Sequence, residues 1–341
     1  MPELSERKKN ILSSIIGLYI KSGEPVGSKG LIAETGMTVS SATVRNEMSE
    51  LASMGYLEQP HTSAGRIPSQ SGYRFYVDHL MKDAEIDELS KRMIDAGISS
   101  ANGDPEKLIA KAREILSDLT GYACVSTAPV GLNFIKKIEL LPVGTFTAMM
   151  ILFTSNGILK SRLCRLDEPI STTVFERFYN IVQQFFIGKP TGEISVASMQ
   201  TVAATMMDDY FTLLPLLASI VELAGSTSDS KLVISGSSNL LSVKDYGSDI
   251  IPLLDFLSKK EPLNDFLSSS DDKIKISIGT ENKYRQLSSS SIIVAKYKVR
   301  NDDSGTLSVI GPTRMDYEKI IPSVRYLTDL VGQMITASLE E

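Results

Sequence analysis

The stretch Ser40-Ser41-Ala42-Thr43-Val44-Arg45-Asn46 holds the residue types that a protein uses to read the edge of a base pair. An arginine can donate a pair of hydrogen bonds to guanine O6 and N7, and an asparagine can bond adenine in the same two-point way. The methyl groups of Ala42 and Thr43 can meet a thymine methyl. Ser40 and Ser41, at the start of a helix whose free N–H groups form its positive end, suit a phosphate. The alternative is a solvated face on which Arg45 only pairs with Ser49 or Glu50. A second group, His61, Thr62, Ser63, Gly65 and Arg66, lies between Pro60 and Pro68. Hydroxyls, a tight glycine and a cation suit a loop that lies along a sugar-phosphate backbone, because phosphates accept hydrogen bonds and carry charge. His61 either donates to a phosphate or caps a turn. Lys29 supplies a further cation for backbone contact.

These residues need elements to present them. A first helix is expected over residues 5–22, where Ser5 can cap and Ile11, Leu12, Ile15, Ile16 and Tyr19 recur on one face until Gly23. A short second helix follows Ser28 and closes at Gly36. Ser40 caps a third, whose buried stripe of Val44, Met48 and Leu51 leaves Ala42, Asn46 and Ser49 pointing away, flanked by Thr43 and Arg45. Residues 56–58 and 66–67 can pair as a hairpin around His61–Gly65. Helix, helix, turn, helix and hairpin is the order of a winged helix-turn-helix, although small helical domains of other purpose share much of it.

Composition narrows the rest. The chain has 341 residues, 42% of them hydrophobic and 22% charged, which suggests two or three soluble domains. The longest apolar run, Ala148 to Phe153, is far short of a membrane span, and no signal peptide is visible. Two cysteines, Cys124 and Cys164, make no disulfide framework, so a reducing, cytoplasmic setting is expected. Residues 1–80 balance eight basic against eight acidic side chains, and the net charge of −6 comes from the remainder. Any DNA contact must therefore gather a few cations on one face. Only two histidines occur, neither beside a cysteine, and there is no Walker loop or dinucleotide fingerprint. Neither an enzyme nor a cofactor is expected.

Beyond the hairpin, helix is expected at 69–82 and 87–97, and again from Glu106 to Leu119 after the break at 99–105. Strands are expected at 121–127, 146–154 and 158–166, the last two joined by an Asn156-Gly157 turn. Residues 173–187 read as an amphipathic helix with Val174, Phe178, Ile181, Val182 and Phe185 on one face. Helical pattern continues over 199–224, with Pro215 as a kink or boundary. Strands at 231–235, 273–278, 292–299 and 306–310 and a closing helix at 316–339 complete the chain. The apolar run 148–153 and the Phe178/Phe185 face each need a partner surface, and a second subunit is the expected one.

The residues from Ser40 to Asp78, SSATVRNEMSELASMGYLEQPHTSAGRIPSQSGYRFYVD, resemble the most distinctive region of the HrcA family, the heat-inducible transcription repressors of bacteria. Residues 119–129, 276–282 (ISIGTEN) and 305–317 (GTLSVIGPTRMDY) are similar to the family as well. The resemblance implies an α+β multidomain protein: an N-terminal winged helix-turn-helix, then a GAF-like domain with an inserted dimerisation domain. The corresponding bounds are 1–82 for the head, 83–104 for a helical connector, 105–134 with 226–341 for the GAF-like domain and 135–225 for the insertion. Phe178, Ile181, Val182 and Phe185 are then candidates for the dimer contact. The resemblance further implies a homodimer on double-stranded DNA at the inverted-repeat CIRCE operator of chaperone operons of the groE and dnaK type. It implies the GroE chaperonin as the partner that keeps the repressor competent, so that heat withdraws chaperonin and releases the genes. Two other readings stay open: a sensor whose GAF-like domain binds an unidentified small molecule, and a scaffold whose head binds protein.

Overall fold

The computed structural model describes all residues except 1–3, 61–64, 82–84, 102–103, 129–132, 156–157, 207–208, 229–231, 269–272, 300–303 and 339–341. The wing tip His61-Thr62-Ser63 and the Asn156-Gly157 turn thus lie outside the described residues. The chain forms two compact units: Met1–Val125, Ile234–Tyr297 and Leu307–Met334 in the first, Ser126–Val233, Lys298–Thr306 and Ile335–Glu341 in the second.

The first unit begins with α1 (Glu6–Ser22), α2 (Ser28–Thr35) and α3 (Ser41–Ser53), followed by β1 (Leu57–Glu58) and β2 (Ile67–Pro68). Ser5 caps α1 by accepting from the Lys8 amide, and Gly23 ends it in the left-handed conformation. Ile11, Leu12, Ile15 and Ile16 of α1 and Val44, Met48 and Leu51 of α3 are buried. Each such side chain contributes about 1.5–3 kcal/mol by leaving water. Tyr19, expected on the same face, is only partly covered. β1 and β2 pair antiparallel with Leu57 opposite Pro68 and Glu58 opposite Ile67. Val26 bridges to Arg66 through both backbone bonds, each 2.9 Å, an isolated bridge that ties the wing to the turn after α1. The head closes with α4 (Gln70–Phe75) and a π-helical turn, Tyr76–Leu80.

Two helices follow, α5 (Glu88–Ile98) and α6 (Pro105–Thr120), the latter capped by Asp104 with proline at its first position. A Cβ on Gly97 would stand 2.5 Å from Ile115 Cδ1, so glycine permits the close crossing of these helices. The chain continues through β3 (Ala123–Thr127), β4 (Ile135–Pro142), β5 (Thr147–Thr154) and β6 (Leu159–Arg165), then α7 (Thr172–Ile181), α8 (Val196–Met206) and α9 (Asp209–Ser228). It ends with β7 (Val233–Ser235), α10 (Ile250–Ser258), α11 (Lys260–Ser268), β8 (Ile274–Ile278), β9 (Ser290–Lys298), β10 (Ser304–Pro312) and α12 (Tyr317–Ser338). A five-stranded sheet runs in the order β7-β3-β10-β9-β8. The winged-helix head, the β-sheets with their flanking helices and the two compact units make this an α+β, multidomain chain.

The second unit is built on the antiparallel sheet β4-β5-β6. Its inner face, including Ile138, Leu140, Met150 and Leu152, shares one core with Phe178, Val182 and Phe186 and with Leu213, Leu217 and Ile220 of α9. Of the candidate dimer residues Phe178, Ile181, Val182 and Phe185, this corrects the expectation for Phe178 and Val182. Phe178 and Val182 are fully inside, and Ile181 and Phe185 pack against the same core. The helical face and the inward residues of the apolar strand, Ala148, Met150 and Leu152, cover one another within the chain, while Met149 and Phe153 of the same strand lie on the opposite face. Pro215 does not end a helix; it sits inside α9, where its carbonyl accepts the Ser219 hydroxyl at 2.8 Å. No described helix is long and apolar enough to cross a membrane.

Candidate nucleic-acid interface

The N-terminus of α3 is held from two sides. The Ser40 hydroxyl accepts the Thr43 amide at 3.1 Å and lies 2.9 Å from the Thr43 hydroxyl, while the Ser41 hydroxyl lies 2.9 Å from that of Ser28. Val44 N–H makes the first intrahelical bond, to the Ser40 carbonyl. The Ser40, Ser41 and Thr43 hydroxyls therefore first fix the helix end and the angle between α2 and α3. The Ser41 and Ala42 amides stand at the positive end, where an anion is stabilised. Ser28 was read only as the start of the second helix, and nothing short of the tertiary contact marks its bond to Ser41.

Ala42, Arg45, Asn46 and Ser49 are exposed on the outer face of α3, and Thr43 is partly so. Arg45 makes no hydrogen bond or ion pair with a described residue. Its two candidate partners are engaged elsewhere. The Ser49 hydroxyl donates to the Arg45 carbonyl at 3.0 Å, and Glu50 pairs with Lys8 at 2.8 Å. Lys8 also holds Glu47 at 2.8 Å, with Arg7 nearby at 3.6 Å. Hydrogen bonds to Glu47 and then Glu50 raise the Lys8 pKa, so that the ammonium stays in place. The acids of α3 are thus turned toward α1, and the guanidinium of Arg45 stays exposed. Lys29, on α2, is exposed as well.

Gly65 has a stricter reason than phosphate contact. A Cβ there would lie 2.4 Å from the Val26 carbonyl carbon and oxygen and 2.8 Å from the Gly27 amide nitrogen. Only a bare backbone lets the wing close on the turn between α1 and α2. Arg66 follows directly, pinned by its backbone to Val26, with its side chain partly exposed and its Nε buried without a protein partner. The structure thus brings Lys29, Arg66 and the start of α3 together on one three-helix head.

No group of His, Cys, Asp and Glu that could hold a metal occurs among the described residues. Both cysteines are buried, and burial pushes the Cys124 thiol up to about 12, where it is inert as a nucleophile.

Residues 3–78 match the winged helix-turn-helix DNA-binding domain of the HrcA transcription repressors, and residues 106–321 match the HrcA protein C-terminal domain. The chain belongs to the HrcA family. It is 33% identical over 330 residues to the heat-inducible transcription repressor HrcA of Acetivibrio thermocellus, covering 95% of this chain and 94% of that protein. It is 33% identical to the namesake of Caldanaerobacter subterraneus subsp. tengcongensis, covering 98% of each. Among solved structures, a hypothetical protein determined at 2.2 Å is similar with a TM-score of 0.67 and 24% identity, covering 98% of this chain and all of that one; this likeness concerns the fold. As an HrcA-family member the chain is a heat-inducible transcription repressor with a DNA-binding head, and not an enzyme.

Proposed function

We propose that the chain binds the inverted-repeat CIRCE operator of chaperone operons as a homodimer in the cytoplasm, and that a GroE-type chaperonin keeps it in the DNA-binding form. The observation that supports DNA reading most is the unpaired Arg45 guanidinium, on an exposed helix face whose neighbouring acids are held by Lys8. In this reading Arg45 and Asn46 meet base edges, with Ala42 and Thr43 beside them. Lys29, Arg66 and the amides after Ser40 and Ser41 meet phosphates, and His61, Thr62 and Ser63 would extend that contact at the wing tip.

Since the α7 face is occupied, the dimer contact is assigned instead to the outer face of β4-β5-β6. Leu141, Met149 and Leu163 stand in one cross-strand row, and Phe153 and Leu159 in another. Leu141, Leu159 and Leu163 are 47%, 53% and 60% exposed. An apolar face of this kind can pair with its own copy about a two-fold axis. Leu163→Lys is expected to shift the sedimenting species to the monomer; an unchanged dimer would remove the face from consideration.

The chaperonin dependence rests on the family likeness and on the long-range pairing of a multidomain chain, which favours sticky intermediates. Denatured protein refolded with GroE and ATP should recover more binding to an inverted repeat than protein refolded alone, with scrambled duplex as the control. Equal recovery would overturn this part. The ligand-sensing alternative has a cleft of about 630 Å³ to rest on, within the first unit, bordered by Lys21, Tyr122, Asp245 and Arg314.

A further inference from the structure

Three stretches through which the chain resembles its family take no part in the DNA face: residues 72–78, 276–282 and 305–317. Within the first compact unit they meet. Arg74 of α4 donates from Nε to Glu281 Oε1 at 2.8 Å, and from Nη2 to Glu281 Oε2 and to the Ile276 carbonyl, the latter at 2.8 Å. Its Nη1 reaches Asp78 at 3.2 Å. Glu281 is fixed in turn, because its Oε2 accepts the Ile278 amide at 2.9 Å. Gln70 bonds in both senses, donating to the Ile278 carbonyl at 3.1 Å and accepting the Thr280 hydroxyl at 2.7 Å. Gly279 makes room for it: a Cβ there would fall 1.2 Å from Gln70 Nε2. Tyr76 donates to Glu318 at 2.6 Å, and the Tyr73 ring lies 6.0 Å from that of Tyr317.

A second attachment lies at the end of α1. Arg314 donates from Nη1 to the Ile20 carbonyl at 3.1 Å and pairs through Nε with Asp245. Its guanidinium faces Gly23, whose absent Cβ would lie 3.3 Å from Cζ. One partly exposed ion pair contributes little to stability. Two-point arginine–carboxylate geometry, however, fixes direction, and backbone carbonyl acceptors add to that constraint. Attachment at α4 and again at α1 leaves the head no free rotation about either point. Meanwhile Lys29, Arg45 and Asn46 stay exposed, so the docked head can still meet DNA.

We propose that Arg74, Glu281 and Arg314 are positioning residues for operator recognition: they fix the orientation of the head, so that the two heads of a dimer meet two half-sites at one spacing. This rests on the dimeric reading above. A head held in one orientation makes the second contact at high effective concentration, whereas a swivelling head dilutes it. Binding of one half-site does not draw on the constraint at all.

The experiment uses the full chain, as wild type and as Arg74→Ala, Arg74→Lys, Arg314→Ala and the double alanine variant. Affinity is measured for a duplex with one half-site, for the inverted repeat, and for repeats whose spacer is lengthened or shortened. The dimer content of each variant is checked by sedimentation. Wild type should prefer the repeat strongly and reject altered spacers. The alanine variants should stay within about twofold of wild type on the half-site and lose about tenfold or more on the repeat, while tolerating altered spacers. Arg74→Lys, which keeps the charge but not the two-point fork, should fall between. Variants that keep both the preference and the spacer requirement overturn the proposal, and so does an equal loss on half-site and repeat, which would signal damage to the head. A wild type without preference for the repeat would instead overturn the dimeric reading, and the proposal with it.

Discussion

Arg45 faces outward without a carboxylate to answer it because Lys8, a helix away, holds both Glu47 and Glu50. That division of labour separates two kinds of cation on the head. Arg45→Ala should cost about 1–3 kcal/mol against the cognate operator and relax the preference at one position per half-site. Arg66→Ala should weaken cognate and scrambled duplex alike and lower the salt slope by about one unit. Equal losses on both duplexes for Arg45→Ala would assign it to the backbone instead. The outward residues of α3 were legible from sequence, since a three-residue apolar stripe fixes which side is left. Gly65 was legible as important but not for its reason. It is a backbone approach to Val26 and Gly27, between residues some forty positions apart, that excludes a side chain. Gly65→Ala should therefore destabilise the head by about 1–3 kcal/mol in thermal unfolding, with or without DNA. An unchanged transition would show that the wing can shift to admit the methyl group.

Among the elements, α1 and α3 were readable because a capping serine stands before a buried apolar stripe in each. β4 was missed: a register shift between Ile135 and Lys137 breaks the alternation by which a strand is recognised. α10 and α11 are nine residues each, too short for a helical period to stand out. The long helical face around Phe178 was read correctly as apolar and assigned to the wrong partner, because periodicity says that a face must be covered and not by what. The junction of α4 with residues 276–281 spans about two hundred positions and could not be read at all. It also carries a pH dependence. Burial alone would raise the Glu281 carboxyl, but the Arg74 hydrogen bonds, the Ile278 amide and the Arg74 charge together hold it below its usual 4.5. A depressed carboxylate stabilises the fold above its unfolded pKa and loses that contribution as pH falls through the folded value. The stability difference between wild type and Glu281→Gln should thus be constant near neutrality and shrink below about pH 4.5. A difference that grew on acidification would contradict the sign.

At the scale of the molecule, one chain supplies one reading head, and an inverted repeat asks for two. In the proposed dimer the outer faces of β4-β5-β6 join them, where half-exposed leucines stand in cross-strand rows. Each head keeps its orientation through Arg74 and Arg314. Dimer symmetry should then be printed on the DNA. Hydroxyl-radical footprinting of the full chain on the region upstream of its own gene tests this most directly. Two patches of protection related by a dyad are expected, on one side of the duplex, with centres separated by about 10–10.5 base pairs or a multiple of that. A single patch, or protection that spreads without a dyad, would contradict it.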